Sequence, residues 1–219
     1  SAQDIPTTQL PWVVLLGVVL GLVGVMFKKL MLDVMETVKD MSLFTRLLFA
    51  GLITAMLAVI IPTSLGPGLT AIEQVLNHQG QMSLLVTLLI AKLFASAIAL
   101  GMGIPGGLIG AVFGIGAIIA AVFVGAVNGL GIQQDLSFDS FILLGMAGIL
   151  AACIHAPMAA LLAIVELSRS VEIIIPAMLV IVPAYLISSQ LLKSKSIFIA
   201  QLDLQNLPYQ LAPVHVALQ

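Results

Sequence analysis

Charge is so sparse along this chain that the gaps between ionisable residues define its segments. Six uncharged stretches, at 5–27, 47–72, 74–91, 93–134, 140–165 and 173–192, are separated by single charged residues or short charged runs. A bilayer core about 30 Å thick takes roughly 20 apolar residues of helix, and a charge at its centre costs at least about 2.5–3.5 kcal/mol. The stretches therefore predict six membrane segments in an all-α membrane protein. The first is no removable signal, because Ser1 to Gln9 is polar without a basic start and the apolar run continues to Val25. A beginning at Ser-Ala-Gln-Asp, without an initiator Met, suggests a start inside a longer polypeptide.

Composition narrows the function classes. Hydrophobic residues make up 61% of the chain and charged ones 8%, against about 25% charged in soluble domains. The formal net charge of −2 leaves no basic face to neutralise a run of phosphates, so nucleic acid is not an expected partner. Cys153 stands alone, and His78, His155 and His215 lack metal-ligand spacing. No metal or other cofactor is expected.

Glycine and proline interrupt the apolar sequence itself, at Pro62–Gly68 and Gly101–Gly107. Broken helix at membrane depth survives only where protein or a watery cavity satisfies the freed backbone groups. The 42 uncharged residues from Leu93 to Gln134 thus read as two helices meeting at a break. The pattern predicts helices near 11–38, 45–61, 69–77, 83–100, 108–128, 139–152, 157–168, 172–191 and 198–205. Those at 69–77, 139–152 and 157–168 are too short to cross, which implies partial-depth and tilted helices. Lys28, Lys29, Lys39 and Arg46 cluster between the first two spans, and Lys193 and Lys195 precede the last helix. The positive-inside rule puts both groups on the cytoplasmic side and the amino end outside. The expected organisation is an extramembrane segment at 1–10, a membrane domain at 11–205 and a cytoplasmic exit tail at 206–219.

Two breaks could carry chemistry. In Gly103-Ile104-Pro105-Gly106-Gly107-Leu108 one helix ends and another opens. The first amides of the new helix lack internal partners and carry about half a positive charge, an arrangement that attracts anions. The spacings Gly103/Gly107, Gly106/Gly110 and Gly110/Gly114 equally fit close helix packing, as do Gly17/Gly21 and Gly125/Gly129. Spacing leaves both readings open. In Ala151-Ala152-Cys153-Ile154-His155-Ala156-Pro157, Pro157 suits the first turn of a helix. His155 reads either as a proton relay or pH sensor, or as a loop histidine near an interface. Glu166 and Arg169 read as a pair or a helix-end cap. A polar link, Ser188 to Ser196, leads into Ile197-Phe198-Ile199; Phe198 lies at a pore mouth if that helix points inward, and anchors the core if not.

The run from Gly145 to Ser168, with its Ala-Pro opening and Glu-Leu ending, resembles the paired short helices of the CLC family of chloride channels and proton/chloride antiporters. Element order is similar from about Leu10 to Leu204, over the second half of that family's membrane domain. The resemblance implies the second of two inverted repeats, with anion transport as the activity rather than catalysis. The family's Gly-x-Phe-x-Pro motif falls on Gly107-Leu108-Ile109-Gly110-Ala111, where Ile109 replaces the Phe and Ala111 the Pro. Its anion-coordinating tyrosine falls on Phe198. The implied anion-binding residues are accordingly Gly107, Leu108, Ile109 and Phe198, with the Leu108 and Ile109 amides as donors.

None of Glu36, Glu73, Glu166 or Glu172 has the Gly-Lys/Arg-Glu-Gly-Pro setting of the family's gating glutamate. That residue and the serine ligand would belong to the N-terminal half of the same protein, an expected partner. The resemblance also implies a homodimer in a bacterial inner membrane, chloride or a similar small anion as cargo, and a tail of the kind that precedes regulatory domains. The dimer surface would carry Leu161, Leu162, Ile164, Val165, Ile174 and Ile175. The competing reading is a membrane scaffold or enzyme using the same breaks for packing. Ser83, Ser96, Ser140 and His155 lack a Gly-x-Ser-x-Gly setting, and a scaffold predicts a buried, dry Leu108–Ile109 turn.

Overall fold

The computed structural model describes residues 5–60, 82–103, 107–131 and 136–205, and every regular element among them is helical. These are α1 (Leu10–Val38), α2 (Leu43–Ile60), α3 (Met82–Gly101), α4 (Leu108–Gly129), α5 (Phe138–Ile154), α6 (Pro157–Ser168), α7 (Ile174–Leu186) and α8 (Ile197–Leu204). The proposed helix at 69–77, the Pro62–Gly68 break, Glu73, His78, residues 104–106 with Pro105, and the tail at 206–219 with His215 lie outside the described residues.

Four helices among the described residues are long and apolar enough to cross a bilayer: Thr7–Val38, Met82–Gly101, Leu108–Gly129 and Ile174–Leu191. This is an integral membrane protein. The stretch at 140–165 does not form one span, because it is divided between α5 and α6, both of fewer than 18 residues. The reason is local. After Ile154 the chain takes a left-handed turn at His155 (φ 61°), and Pro157 pushes Ala156 out of the helical region before α6 restarts. Pro157 occupies the first turn of α6, where its missing N–H breaks no bond.

Most of α5 is buried, from Ser140 to Cys153 with Leu143 half-exposed, and α4, α1 and α7 pack around it. A helix that is apolar on all sides belongs in such a position. Glycine sets how closely the helices approach. A Cβ on Gly116 would fall 2.4 Å from the Gly145 carbonyl oxygen, and one on Gly145 would fall 2.4 Å from that of Gly116. On α1, a Cβ at Gly17 would meet the Val180 oxygen at 2.6 Å, at Gly21 the Ile187 Cβ at 2.9 Å, and at Gly24 the Ala152 Cβ at 2.9 Å. Lipid tails are as apolar as leucine, so helices in a membrane associate through such backbone-close contact rather than through apolarity itself.

The helical face that carries Gly17, Gly21 and Gly24 continues to Lys28. This lysine does not share the surface with its basic neighbours: α1 is continuous through it, and it is 1% exposed. Lys29, one residue on, is exposed. In α7, Pro183 removes the amide that would bond the Leu179 carbonyl. Shortly after it the helix widens into a π turn, Ile187–Leu191, closed by the Leu192 N–H on the Ile187 oxygen at 2.9 Å. Lys193 (φ 45°) then turns the chain toward α8, which packs on α1 and α5.

Candidate functional site

The amino end of α4 is open. Gly107 is the N-cap in an extended conformation (φ −74°, ψ 100°), and no side chain caps this end among the described residues. Its carbonyl accepts the Ala111 N–H at 3.3 Å, so the helix begins regularly and the amides of Leu108, Ile109 and Gly110 precede the first intrahelical donor. No acidic residue sits in the first turn. Among the described residues a Cβ built on Gly107 would meet nothing within 4 Å, and Ile109 is 52% exposed. Gly103, with φ +81°, is equally open. Among the described residues no neighbour packs on Gly103 or Gly107, and close approach is made by Gly17, Gly21, Gly24, Gly116 and Gly145. At Gly129, likewise, no described residue lies within 4 Å of an added Cβ.

Phe198 stands in the first turn of α8 and is 48% exposed. It does not anchor the core; that position belongs to Ile197, at 0% exposure. Both α4 and α8 pack on α1 and α5.

A buried polar cluster holds α8 by its amino end. Lys28 Nζ lies 3.0 Å from the Ala152 oxygen, 2.9 Å from Ser188 Oγ, 3.1 Å from the Lys195 oxygen and 3.1 Å from His155 Nε2. Ser188 Oγ donates to the Ala152 oxygen at 2.7 Å and lies 3.0 Å from His155 Nε2. Ser196 Oγ, at the N-cap of α8, donates to the Ile154 oxygen at 2.8 Å. The carbonyls at the end of α5 have no next helical turn to bond, and their partial negative charge suits a cation. His155 is thus no bare loop residue: its ring packs edge-on against Tyr185, with centroids 5.7 Å apart.

Sequence reasoning put Lys28 in a basic cluster and Ser188 in a polar link, and brought neither to His155. The available signal was spacing: Lys28 lies four residues beyond Gly24 and eleven beyond Gly17, on the face marked for close packing. No ion pair joins Glu166 to Arg169 among the described residues; Arg169 ends α6 in the left-handed region (φ 52°), its N–H on the Val165 oxygen at 3.0 Å. The described ion pair is Lys195–Asp203, at 2.6 Å and exposed to solvent.

The six residues expected at a subunit interface divide by exposure. Leu162 (70%) and Ile175 (69%) face outward, beside Met158 (75%). Leu161, Val165 and Ile174 are half-buried. Ile164 is 1% exposed and belongs to the chain's own core, because the twelve-residue α6 has one face against α5 and α7.

The family profile described as voltage gated chloride channel matches residues 1–189. The chain is 25% identical over 201 residues to a curated H(+)/Cl(−) exchange transporter ClcA of Vibrio parahaemolyticus, covering 88% of this chain and 43% of that protein. Its fold is similar to the crystal structure of a slow cyanobacterial Cl−/H+ antiporter, with a TM-score of 0.81 at 21% identity, over 92% of this chain and 48% of the other. It is also similar to that of a eukaryotic CLC transporter, with a TM-score of 0.77 at 18% identity, over 94% and 37%. The chain thus spans less than half the length of these relatives. With 189 of its 219 residues matched, the chain belongs to the voltage gated chloride channel family.

Proposed function

We propose that this chain forms the second inverted repeat of a CLC-type protein that carries chloride or a similar small anion across a membrane. The observation that carries this reading is the helix start at Gly107–Ile109, where among the described residues no side chain caps the first amides and none lies within 4 Å of a Cβ at Gly107. Its similarity to a curated proton/chloride exchanger supports the same cargo.

The magnitudes fit transient binding. A helix terminus contributes about 0.3–1 kcal/mol, up to ~2 when partly buried, and each hydrogen bond to a charged group about 1.5–3 kcal/mol. Stripping a bare ion of water costs tens of kcal/mol by Born reasoning. The amides of Leu108 and Ile109 must therefore act with donors from the N-terminal half of the protein and with retained water. Such a site holds an anion modestly, which suits passage. Phe198 contributes apolar bulk near the path, without the hydroxyl that a tyrosine would offer.

The outward face at Met158, Leu162 and Ile175 is where a second copy would dock to make a homodimer, each subunit keeping its own path. The exit tail and the placement in a bacterial inner membrane belong to the same proposal. Its test is chloride flux by the full-length protein in liposomes, with anomalous bromide scattering in crystals. Flux together with a halide at the Leu108–Ile109 turn is expected; no anion flux under any pH gradient, with the turn empty of halide, would overturn the assignment.

A further inference from the structure

The cluster around Lys28 takes no part in the anion path proposed above, yet one of its bonds ends three residues before Phe198. An ionisable group inside a spanning helix is expensive and is kept where it has a task. Packing alone would not require it, since a methionine fills similar space.

We infer that Lys28 is a positioning residue: its buried ammonium ties the carbonyl end of α5 to the chain just ahead of α8, and so sets where Phe198 stands beside the anion. The inference rests on the anion-transport reading.

The ammonium has three N–H bonds and four polar neighbours within 3.1 Å: the Ala152 oxygen, Ser188 Oγ, the Lys195 oxygen and His155 Nε2. The Ser188 hydroxyl proton goes to the Ala152 oxygen, so Ser188 Oγ accepts from Lys28. An unprotonated His155 Nε2 facing the ammonium acts as a further acceptor. The wider π turn at Ile187–Leu191 carries Ser188 into this arrangement, a use such turns often have.

Further along α8, Gln201 Nε2 lies 3.9 Å from Met31 Sδ and Asp203 pairs with Lys195, but its amino end depends on the chain just ahead of it. The helix has eight residues, of which Ile197 alone among the described residues is buried, and a helix that short is not stable by itself. Its amino end is fixed by Ile197 and by two bonds made ahead of it: the Lys195 oxygen on Lys28, and Ser196 Oγ on the Ile154 oxygen. Lys28→Met removes the first and leaves the glycine contacts of α1 intact. The start of α8 is then free to shift, and Phe198 with it.

The test uses the full-length protein, with chloride affinity read by calorimetry and amide hydrogen exchange read along α8. Lys28→Met is expected to weaken chloride binding about tenfold, or ~1.4 kcal/mol. Exchange at Ala200, whose N–H bonds the Ser196 oxygen at 2.9 Å, should quicken while the α4 amides keep their rates. Ser188→Ala, which keeps the charge and removes one acceptor, should act in the same direction by roughly threefold, a fraction of one hydrogen bond. If the wild-type protein moves chloride but Lys28→Met binds it with unchanged affinity, the inference falls and the function stands, even if α8 exchanges faster. If the wild-type protein moves no anion, both fall. Should Lys28→Met fail to fold, Ser188→Ala decides by the same two readouts, and unchanged affinity there overturns the inference.

Discussion

Replacing Gly116 by alanine tests the contact that sets the spacing of the two most buried helices. The added Cβ would sit 2.4 Å from the Gly145 oxygen, 2.5 Å from Ile149 Cγ2 and 2.9 Å from the Gly145 carbonyl carbon. Ordinary contacts begin near 3.4 Å, so α4 and α5 must part by about 1 Å, and no rotamer change relieves a clash with backbone. Overpacking of this kind costs about 1–3 kcal/mol. A gap of 0.5–1 Å also forfeits a quarter to a half of each van der Waals well along the interface, where Ile115, Ile118, Phe141 and Leu144 are all at 0% exposure. Against this, alanine in place of glycine within a helix gains up to about 1 kcal/mol. The net expectation is a loss of about 2 kcal/mol. At roughly 2–4 °C per kcal/mol for a chain of this size, the midpoint falls by about 4–8 °C. The assay is thermal unfolding of the detergent-solubilised protein, followed by size-exclusion recovery after heating. Gly129→Ala is the control: it ends the same helix, its Cβ meets no described residue within 4 Å, and it should leave the midpoint unchanged or raise it. A Gly116→Ala protein at least as stable as wild type would refute the reasoning, because it would mean that the two backbones do not touch.

Leu108→Pro deletes one amide at the proposed site with little backbone cost, since proline suits the first helical position and Gly107 already has the extended conformation that precedes proline. Loss of one charge-assisted bond, about 1.5–3 kcal/mol, should weaken chloride binding by roughly ten- to 150-fold; calorimetry showing wild-type affinity would exclude this amide as a ligand. Phe198→Tyr supplies a hydroxyl donor and should tighten chloride binding, and an unchanged dissociation constant would remove Phe198 from the site. Leu162→Asp and Ile175→Asp place charges on the outward apolar face and should convert a dimer to a monomer in light scattering. A mass unaffected by both changes would assign that face to lipid.

Much of the fold was legible because the membrane leaves a chain few options. Backbone groups in lipid must bond within helices, so charge-free runs and Pro or Gly breaks mark the elements closely: helices expected at 11–38, 108–128 and 157–168 are found at Leu10–Val38, Leu108–Gly129 and Pro157–Ser168. The start of α4 was legible for the same reason, since a glycine-rich break followed by an apolar helix exposes amides wherever it stands. The glycine pattern was ambiguous. Spacing marks which glycines could pack, but among the described residues Gly17 and Gly21 have close neighbours while Gly103 and Gly107 have none, and that depends on what lies opposite.

Sequence by itself determined that this is a helical membrane chain, roughly where its described helices begin and end, and, through motif likeness, the family to which it belongs. These are local properties of bonding and burial, set by neighbours along the chain. Tertiary structure alone decided that Lys28 points inward rather than joining Lys29 at the surface, that Ile164 belongs to the core, and that His155 and Ser188 meet. Lys28 and Lys195 are 167 residues apart, and no periodicity encodes a contact made by helices returning from opposite ends of the chain. A buried ammonium is tolerable only where several distant acceptors converge, and that convergence exists only once α1, α5, α7 and α8 have packed.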